Sequence, residues 1–218
     1  MKIPISPRLL ACCNCIKPGE RVADIGCDHG YLGIYLLKNG IVSSVIASDL
    51  REGPLQSALR NSEKFGVRDQ MTFYLSDGAR NIPRDFDALV CAGMGGETMV
   101  SILSAAPWLR SIKYRLVLQC QSRNHLLRRY LSENGWYIAR EQVLRDGKFL
   151  YTVLEAVWQP GQVLSPGQCY FPPALTGELA GYYGWVVKGL ENIVLNRGEQ
   201  ADAFDIEALK ELKRMKPQ

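Results

Sequence analysis

The chain has 218 residues, 47% of them hydrophobic and 22% charged, which is the balance of a soluble globular protein with one core of ordinary size. This excludes a disordered or fibrous chain, and the uncharged stretch over residues 161–177 is broken by three prolines where a membrane span needs an apolar run. The net charge of +4 is uneven: from residue 161 onward seven acids and six bases give −1, leaving +5 on the first 160 residues, which allows a polyanionic partner without demanding one.

In chain order, residues 21–25 read as a strand and 31–39 as a helix, then 43–49 as a strand and 54–65 as a helix with proline in its first turn. Residues 71–75, 88–91 and 115–119 are further short apolar runs, and helical patterns over 96–104 and 123–134 follow the latter two. This alternation predicts βαβ units and a parallel sheet covered on both faces. Residues 136–144 and 148–158 flank Asp146-Gly147 and predict a closing antiparallel hairpin. The fold class is therefore α/β, Rossmann-like, over residues 1–160. Residues 159–177, with Pro160, Pro166, Pro172 and Pro173, read as a connector. Beyond it, 178–195 and 201–216 have helical spacing and predict a C-terminal helical hairpin within residues 161–218. Gly181, Gly184 and Gly189 weaken its first helix.

Ligands of an open α/β sheet bind beyond the carboxyl ends of its strands, and four loops there carry unusual residues. The first is Asp24-Ile25-Gly26-Cys27-Asp28-His29-Gly30-Tyr31, whose glycines let a ligand approach the backbone at a helix N-terminus. A dinucleotide-binding turn would have glycine where Asp28 stands, and Asp24 and Asp28 would repel a pyrophosphate. A cationic ligand gains instead, since unit charges about 4 Å apart attract by roughly 4 kcal/mol at an effective dielectric of 20. S-adenosylmethionine carries an ammonium and a sulfonium, so the loop favours it over NAD. The second loop, Ser48-Asp49-Leu50, places a carboxylate for ribose hydroxyls. In the third, Ser76-Asp77-Gly78, a carboxylate can accept from an adenine amine beside a space-giving glycine. The fourth runs from Cys91 to Glu97, with Gly93, Gly95 and Gly96 around Met94, and lets backbone lie flat against a ligand or target base.

Each loop has a plainer reading. Asp28 and Asp49 could be helix N-caps, Asp77-Gly78 an ordinary turn, and Gly93–Gly96 a tight start to a helix. The conjunction carries the argument: carboxylates end three successive strands on the ligand-binding edge.

Other signals are weaker. Cys12 and Cys15 have C-x-x-C spacing, but no second pair or histidine cluster completes a metal site, and they read as half-buried helix residues. His125 reads as a helix surface residue, His29 as lining the pocket, and Cys91 as buried in its strand rather than nucleophilic. Seven cysteines, an odd number in apolar segments, suggest reduced thiols in a cytoplasm, and the prolines and arginine of MKIPISPRLLACC do not suit a signal peptide. Lys2, Arg8, Arg110, Lys113, Arg115, Arg123, Arg128 and Arg129 could track a phosphate backbone or form a solvated surface. Tyr31 and Trp108 could stack on a base or fill the core.

The run Val22-Ala-Asp-Ile-Gly-Cys-Asp-His-Gly-Tyr-Leu32, with Gly53-Pro-Leu-Gln-Ser-Ala58, Asp77-Gly78 and Ala92-Gly-Met-Gly-Gly96, resembles the bacterial tRNA (adenine-22-N1)-methyltransferase family. Leu118-Gln119 and the Gly135-Trp136 hairpin also fit, so the resemblance covers about residues 5–158. It implies a class I methyltransferase domain followed by a coiled-coil-type helical hairpin, and methylation of adenine N1 in the D-arm region of tRNA using S-adenosylmethionine. The tail is shorter and more glycine-interrupted than the family pattern. Carried over, Asp24, Gly26, Cys27, Gly30, Asp49, Leu50, Asp77, Gly78, Gly93 and Met94 form the cofactor set. Asp28, His29 and Tyr31 form the catalytic set, while Gly95, Gly96, Arg123, Arg128 and Arg129 face the tRNA. The expected partner is tRNA, with no membrane and no metal; the oligomeric state stays open, with a monomer favoured. Two other classes remain: a methyltransferase acting on a small metabolite or another RNA, and a non-catalytic RNA-binding module.

Overall fold

The structure is a computed structural model describing residues 2–215; Lys216, placed above at the end of the last helix, lies outside them. Five parallel strands form the centre: β1 (Val22–Ile25), β2 (Val45–Asp49), β3 (Met71–Leu75), β4 (Ala88–Met94) and β5 (Arg115–Cys120). A hairpin of β6 (Trp136–Asp146) and β7 (Phe149–Trp158) joins through β7, antiparallel to β5; the hairpin is as expected, but it turns at Gly147-Lys148, one residue later than the Asp146-Gly147 pair suggests, because Asp146 still pairs with Phe149. The sheet order is β3-β2-β1-β4-β5-β7-β6, followed by β8 (Leu175–Gly177).

The central strands are apolar throughout because both faces are covered. Successive side chains alternate between two cores. Val22, Val90 and Val117 pack with α1 (Pro7–Cys13), α2 (Tyr31–Lys38) and α3 (Glu52–Lys64), whereas Ala23, Leu89 and Leu116 pack with α4 (Gly96–Ser104) and α5 (Asn124–Glu133). Cys12 is fully buried in the first of these cores, deeper than the sequence suggests, while Cys15 stays half-buried. Cys91 is buried in β4 as expected.

The stretch read as a connector is more structured than its prolines suggest. It contains α6 (Pro166–Tyr170), which opens with a capping box between Ser165 and Gln168, and β8, which pairs in parallel with β6. Pro166 starts the helix because its missing N–H falls where no intrahelical partner exists. Then α7 (Leu179–Arg197) and α8 (Ala203–Arg214) form the expected hairpin. Its apolar residues Tyr182, Val186, Leu190, Ala208 and Leu212 pack on Val143 of β6 and Tyr170 of α6.

Three residues read as surface candidates serve the fold instead. Arg128 is 1% exposed and holds the C-terminal elements to α5. Its guanidinium donates to both Glu141 carboxylate oxygens (2.7–3.2 Å), to the Cys169 and Tyr170 carbonyls (2.9 and 3.0 Å), and to the Tyr182 hydroxyl (3.1 Å). It has no donor left for a phosphate. His125 is half-buried, stacked on Tyr170 at 4.3 Å, and burial pushes its pKa down to about 4. Arg115 likewise serves the fold, donating to Glu20, Glu155 and the Cys15 carbonyl.

Candidate active site

The carboxyl ends of β1 to β4 open onto a cavity of about 530 Å³, at the point where the strand order reverses about β1. The first loop is shaped by its neighbours. The Gly26 and Cys27 N–H groups donate to the Ser48 carbonyl at 2.8 and 2.9 Å, folding the loop back over the end of β2. Gly26 has φ +71°, and a Cβ there would lie 2.1 Å from Cε of Met94. A left-handed alanine costs about 1–2 kcal/mol before that clash. Gly26→Ala is therefore expected to lower Tm by roughly 3–6 °C in thermal denaturation, and by more if Met94 cannot move aside.

Asp28 is one of two non-glycine residues with positive φ (+50°) among the described residues, the other being Arg123. Its N–H donates to Oδ2 of Asp49 at 3.2 Å, while Oδ1 of Asp49 accepts from Arg51 N–H at 3.0 Å. The caps of α2 and α3 are Gly30 and Arg51, neither with a side-chain cap bond, so neither aspartate acts as an N-cap. The Asp28 carboxylate is left at the cavity mouth, 68% exposed and 3.7 Å from Nε2 of His29. His29 in turn stacks on Tyr31, ring centroids 5.7 Å apart.

Asp24 lies deeper. It is buried, and its Oδ2 has no hydrogen-bond partner among the described residues. Burial, with smaller contributions from Asp49 and Asp28, pushes its pKa up to about 7. A buried acceptor without a partner, on a cavity wall, is a place for a ligand donor. At the rim, Asp77 faces Arg80 at 3.3 Å, and Ser76 fixes the turn by donating to the Gly78 carbonyl and accepting from Asn81 N–H.

Asp24, Gly26, Cys27, Asp28, His29, Tyr31, Asp49, Leu50, Asp77, Gly78, Gly93 and Met94 all line this cavity. Gly30 does not; a Cβ there would meet Ala58 at 2.9 Å, so its role is to bring α2 against α3. Gly95 and Gly96 also lie outside it. Gly96 is buried, its N–H donates to the Ser122 carbonyl, and a Cβ would sit 2.4 Å from the Arg123 carbonyl oxygen. These two glycines seat α4 on the β5–α5 loop, and only Gly93, held by Gln119 at 3.0 Å, presents backbone to the cavity. Of the basic candidates, Arg123 and Arg129 are exposed beside Glu97 and Glu133. Trp108 packs against Phe86 and Tyr114 rather than standing free.

Sequence reasoning missed Thr98, Ser101, Ile102 and Gln121 as lining residues and gave Arg8 to the phosphate set. Gln121 was detectable as the polar residue just past β5. Arg8 carries no such signal: α1 brings it to the cavity, with its guanidinium over the Tyr151 ring.

A parallel sheet in this order, closed by an antiparallel hairpin and bearing carboxylates on three adjacent strand ends, defines a class I methyltransferase. Residues 5–154 match the methyltransferase-domain family. The tRNA (adenine(22)-N(1))-methyltransferase of Bacillus subtilis is 33% identical over 156 residues, covering 71% of this chain and 66% of that one. The solved B. subtilis m1A22 tRNA methyltransferase TrmK superposes with TM-score 0.80 at 29% identity, over 97% of this chain and 95% of that one. A Streptococcus pneumoniae relative, solved in complex with S-adenosyl-L-methionine, gives 0.82 at 27% identity, over 96% and 98%. In sequence, the chain spans 60–66% of the length of the first curated relatives it matches. The chain belongs to the methyltransferase-domain family, and within it is similar to tRNA (adenine-22-N1)-methyltransferases.

Proposed function

We propose that this protein transfers a methyl group from S-adenosylmethionine to N1 of an adenine in tRNA, in the D-arm region at position 22. The observation that carries the reading is the buried, unpartnered Asp24 carboxylate beneath a cavity whose other walls bear Asp49 and Asp77. These residues fit the cofactor. Asp24 suits its ammonium, with Gly26 and Cys27 leaving room for the methionine end. Asp49 and Leu50 suit the ribose, Asp77 and Gly78 the adenine, and Gly93 and Met94 the opposite wall.

When bound, the cofactor supplies an electrophilic methyl on a sulfonium. Adenine N1 has a free lone pair at neutral pH, so this chain needs no base to activate it. Its residues must instead orient the ring and stabilise the positive charge that develops as N1 is alkylated. Asp28 at the mouth suits the second task, and the His29–Tyr31 stack the first. Because N1 lies on the pairing edge, the adenine must be unpaired or extruded before it enters. The exposed Arg123 and Arg129, with Lys2, supply phosphate contacts on residues 1–160, and the helical hairpin within 161–218 extends that surface. Free cysteines suit a cytoplasmic enzyme, here read as a monomer. Among the described residues no helix is long and apolar enough to cross a membrane.

Asp24 gives a pH test. With its pKa raised to about 7, it stabilises the ligand-free fold fully only below the ordinary carboxylate range, and that stability is lost as pH rises through about 7. Above about pH 7 the carboxylate is charged and favours a cationic ligand. S-adenosylmethionine affinity is therefore expected to strengthen from about pH 6 to about pH 8. Asp24→Asn should bind weakly with a flat profile, as titration calorimetry at several pH values will show. To separate tRNA from a small metabolite as substrate, charge reversal at Arg123 and Arg129 should raise KM for tRNA and leave cofactor affinity unchanged.

A further inference from the structure

A second cavity, of about 220 Å³, lies between the start of α5 and the face of α7 that carries Tyr182, Val186 and Gly189, and Gln121 lines both it and the cofactor cavity. Its walls are mostly apolar, and three features point to a flat ligand with a hydrogen-bond donor. Trp185 stands at its edge, 61% exposed and 5.8 Å from the ring of Tyr182. Asn124 donates from Nδ2 to Oγ1 of Thr152 and to the Tyr182 hydroxyl, which fixes the amide, yet its Oδ1 is buried with no partner among the described residues. Gly189, one turn beyond Trp185, also lines the cavity, and a Cβ there would meet nothing within 4 Å. Glycine is a poor helix former, so packing within the chain gives no reason for it at this position. It leaves the helix backbone open to a planar group beside Trp185.

We propose that this cavity receives an unstacked tRNA base next to the methylated adenine, one bearing an exocyclic amine. Its ring would lie against Trp185 and the Gly189 backbone, with the amine donating to Oδ1 of Asn124. Every base offers a π-face to an indole, and extruding the target adenine frees its neighbours from the stack. The shared wall at Gln121 sets the cavity beside the methyl-transfer site, and the exposed Arg123 on the same wall is available to a phosphate. His125, also lining it and held neutral by burial, adds no charge that a base would have to overcome.

This proposal rests on the tRNA reading above, and its test separates the two. With the full chain and a synthetic tRNA, Trp185→Ala and Gly189→Leu are each expected to raise KM about tenfold, the loss of one stacked base, with kcat and cofactor affinity kept. Gly184→Leu, on the same helix but outside the cavity, should keep the wild-type KM. A tRNA made abasic at one neighbour of the target should raise the wild-type KM equally and raise that of Trp185→Ala no further. In the wild type, tRNA should also shield Trp185 fluorescence from acrylamide. Unchanged KM in both cavity variants, while the wild type still methylates tRNA, would overturn the proposal. A change only in sedimentation would overturn it too, making a second copy of the chain the occupant. If the wild type leaves tRNA unmethylated, the underlying reading fails first and this one with it.

Discussion

Asp28→Ala is expected to lower kcat for methyl transfer about 10²–10³-fold, the usual cost of removing one group aimed at developing charge, while S-adenosylmethionine affinity stays nearly unchanged. The two effects separate because of how the loop is built. The Asp28 backbone N–H, not its side chain, holds Asp49 in place, so truncation leaves the cofactor wall intact. Its carboxylate stands at the mouth beside His29, where a target base would enter. In the open site that carboxylate is well solvated; an entering base would displace water and strengthen its interaction with the positive charge on the alkylated ring. Asp28→Asn should recover little, since an amide keeps the shape without the charge, and the left-handed backbone suits asparagine as well as aspartate. Single-turnover kinetics with cofactor titration in parallel will measure both quantities. A wild-type kcat in Asp28→Ala would remove Asp28 from the mechanism.

Arg128→Met is expected to destabilise the fold by about 3–5 kcal/mol, because it leaves Glu141 as a buried charge without its partner. Glu141 is fully buried, and the two carbonyls of α6 lose their donors as well. Adding Glu141→Leu should restore much of the loss, since replacing both members of a buried ion pair with apolar groups is often nearly neutral. Urea unfolding followed by circular dichroism checks both variants. A fully stable Arg128→Met that fails only to bind tRNA would return Arg128 to the surface role its sequence position suggests.

That residue shows where sequence reading gives out. On α5 an arginine reads as solvated, and Glu141 sits in a strand whose alternation from Trp136 would turn it outward. A bulge between Ile138 and Arg140 shifts the alternation by one and turns Glu141 inward to meet Arg128. No pattern in the chain announces the bulge. The helix α6 and strand β8 were hidden for another reason: five and three residues are too few for a period to show, and prolines dominate the stretch. Gly95 and Gly96 lie outside the cavity, which the sequence could not show because a glycine for helix packing and one for a ligand look alike there; the Arg123 carbonyl above Gly96 marks its packing role. By contrast the aspartates at the ends of β1 and β2, and Asp77 just past β3, were legible. Carboxylates that close the apolar strands of a doubly covered sheet collect on one edge, the edge where a ligand sits.

The most direct test of the central claim is transfer of radiolabelled methyl from S-adenosylmethionine to bacterial tRNA by the purified protein, with nucleoside analysis of the product. Label in 1-methyladenosine is the expected result. Label in any other nucleoside, or none despite measurable cofactor binding, would contradict it.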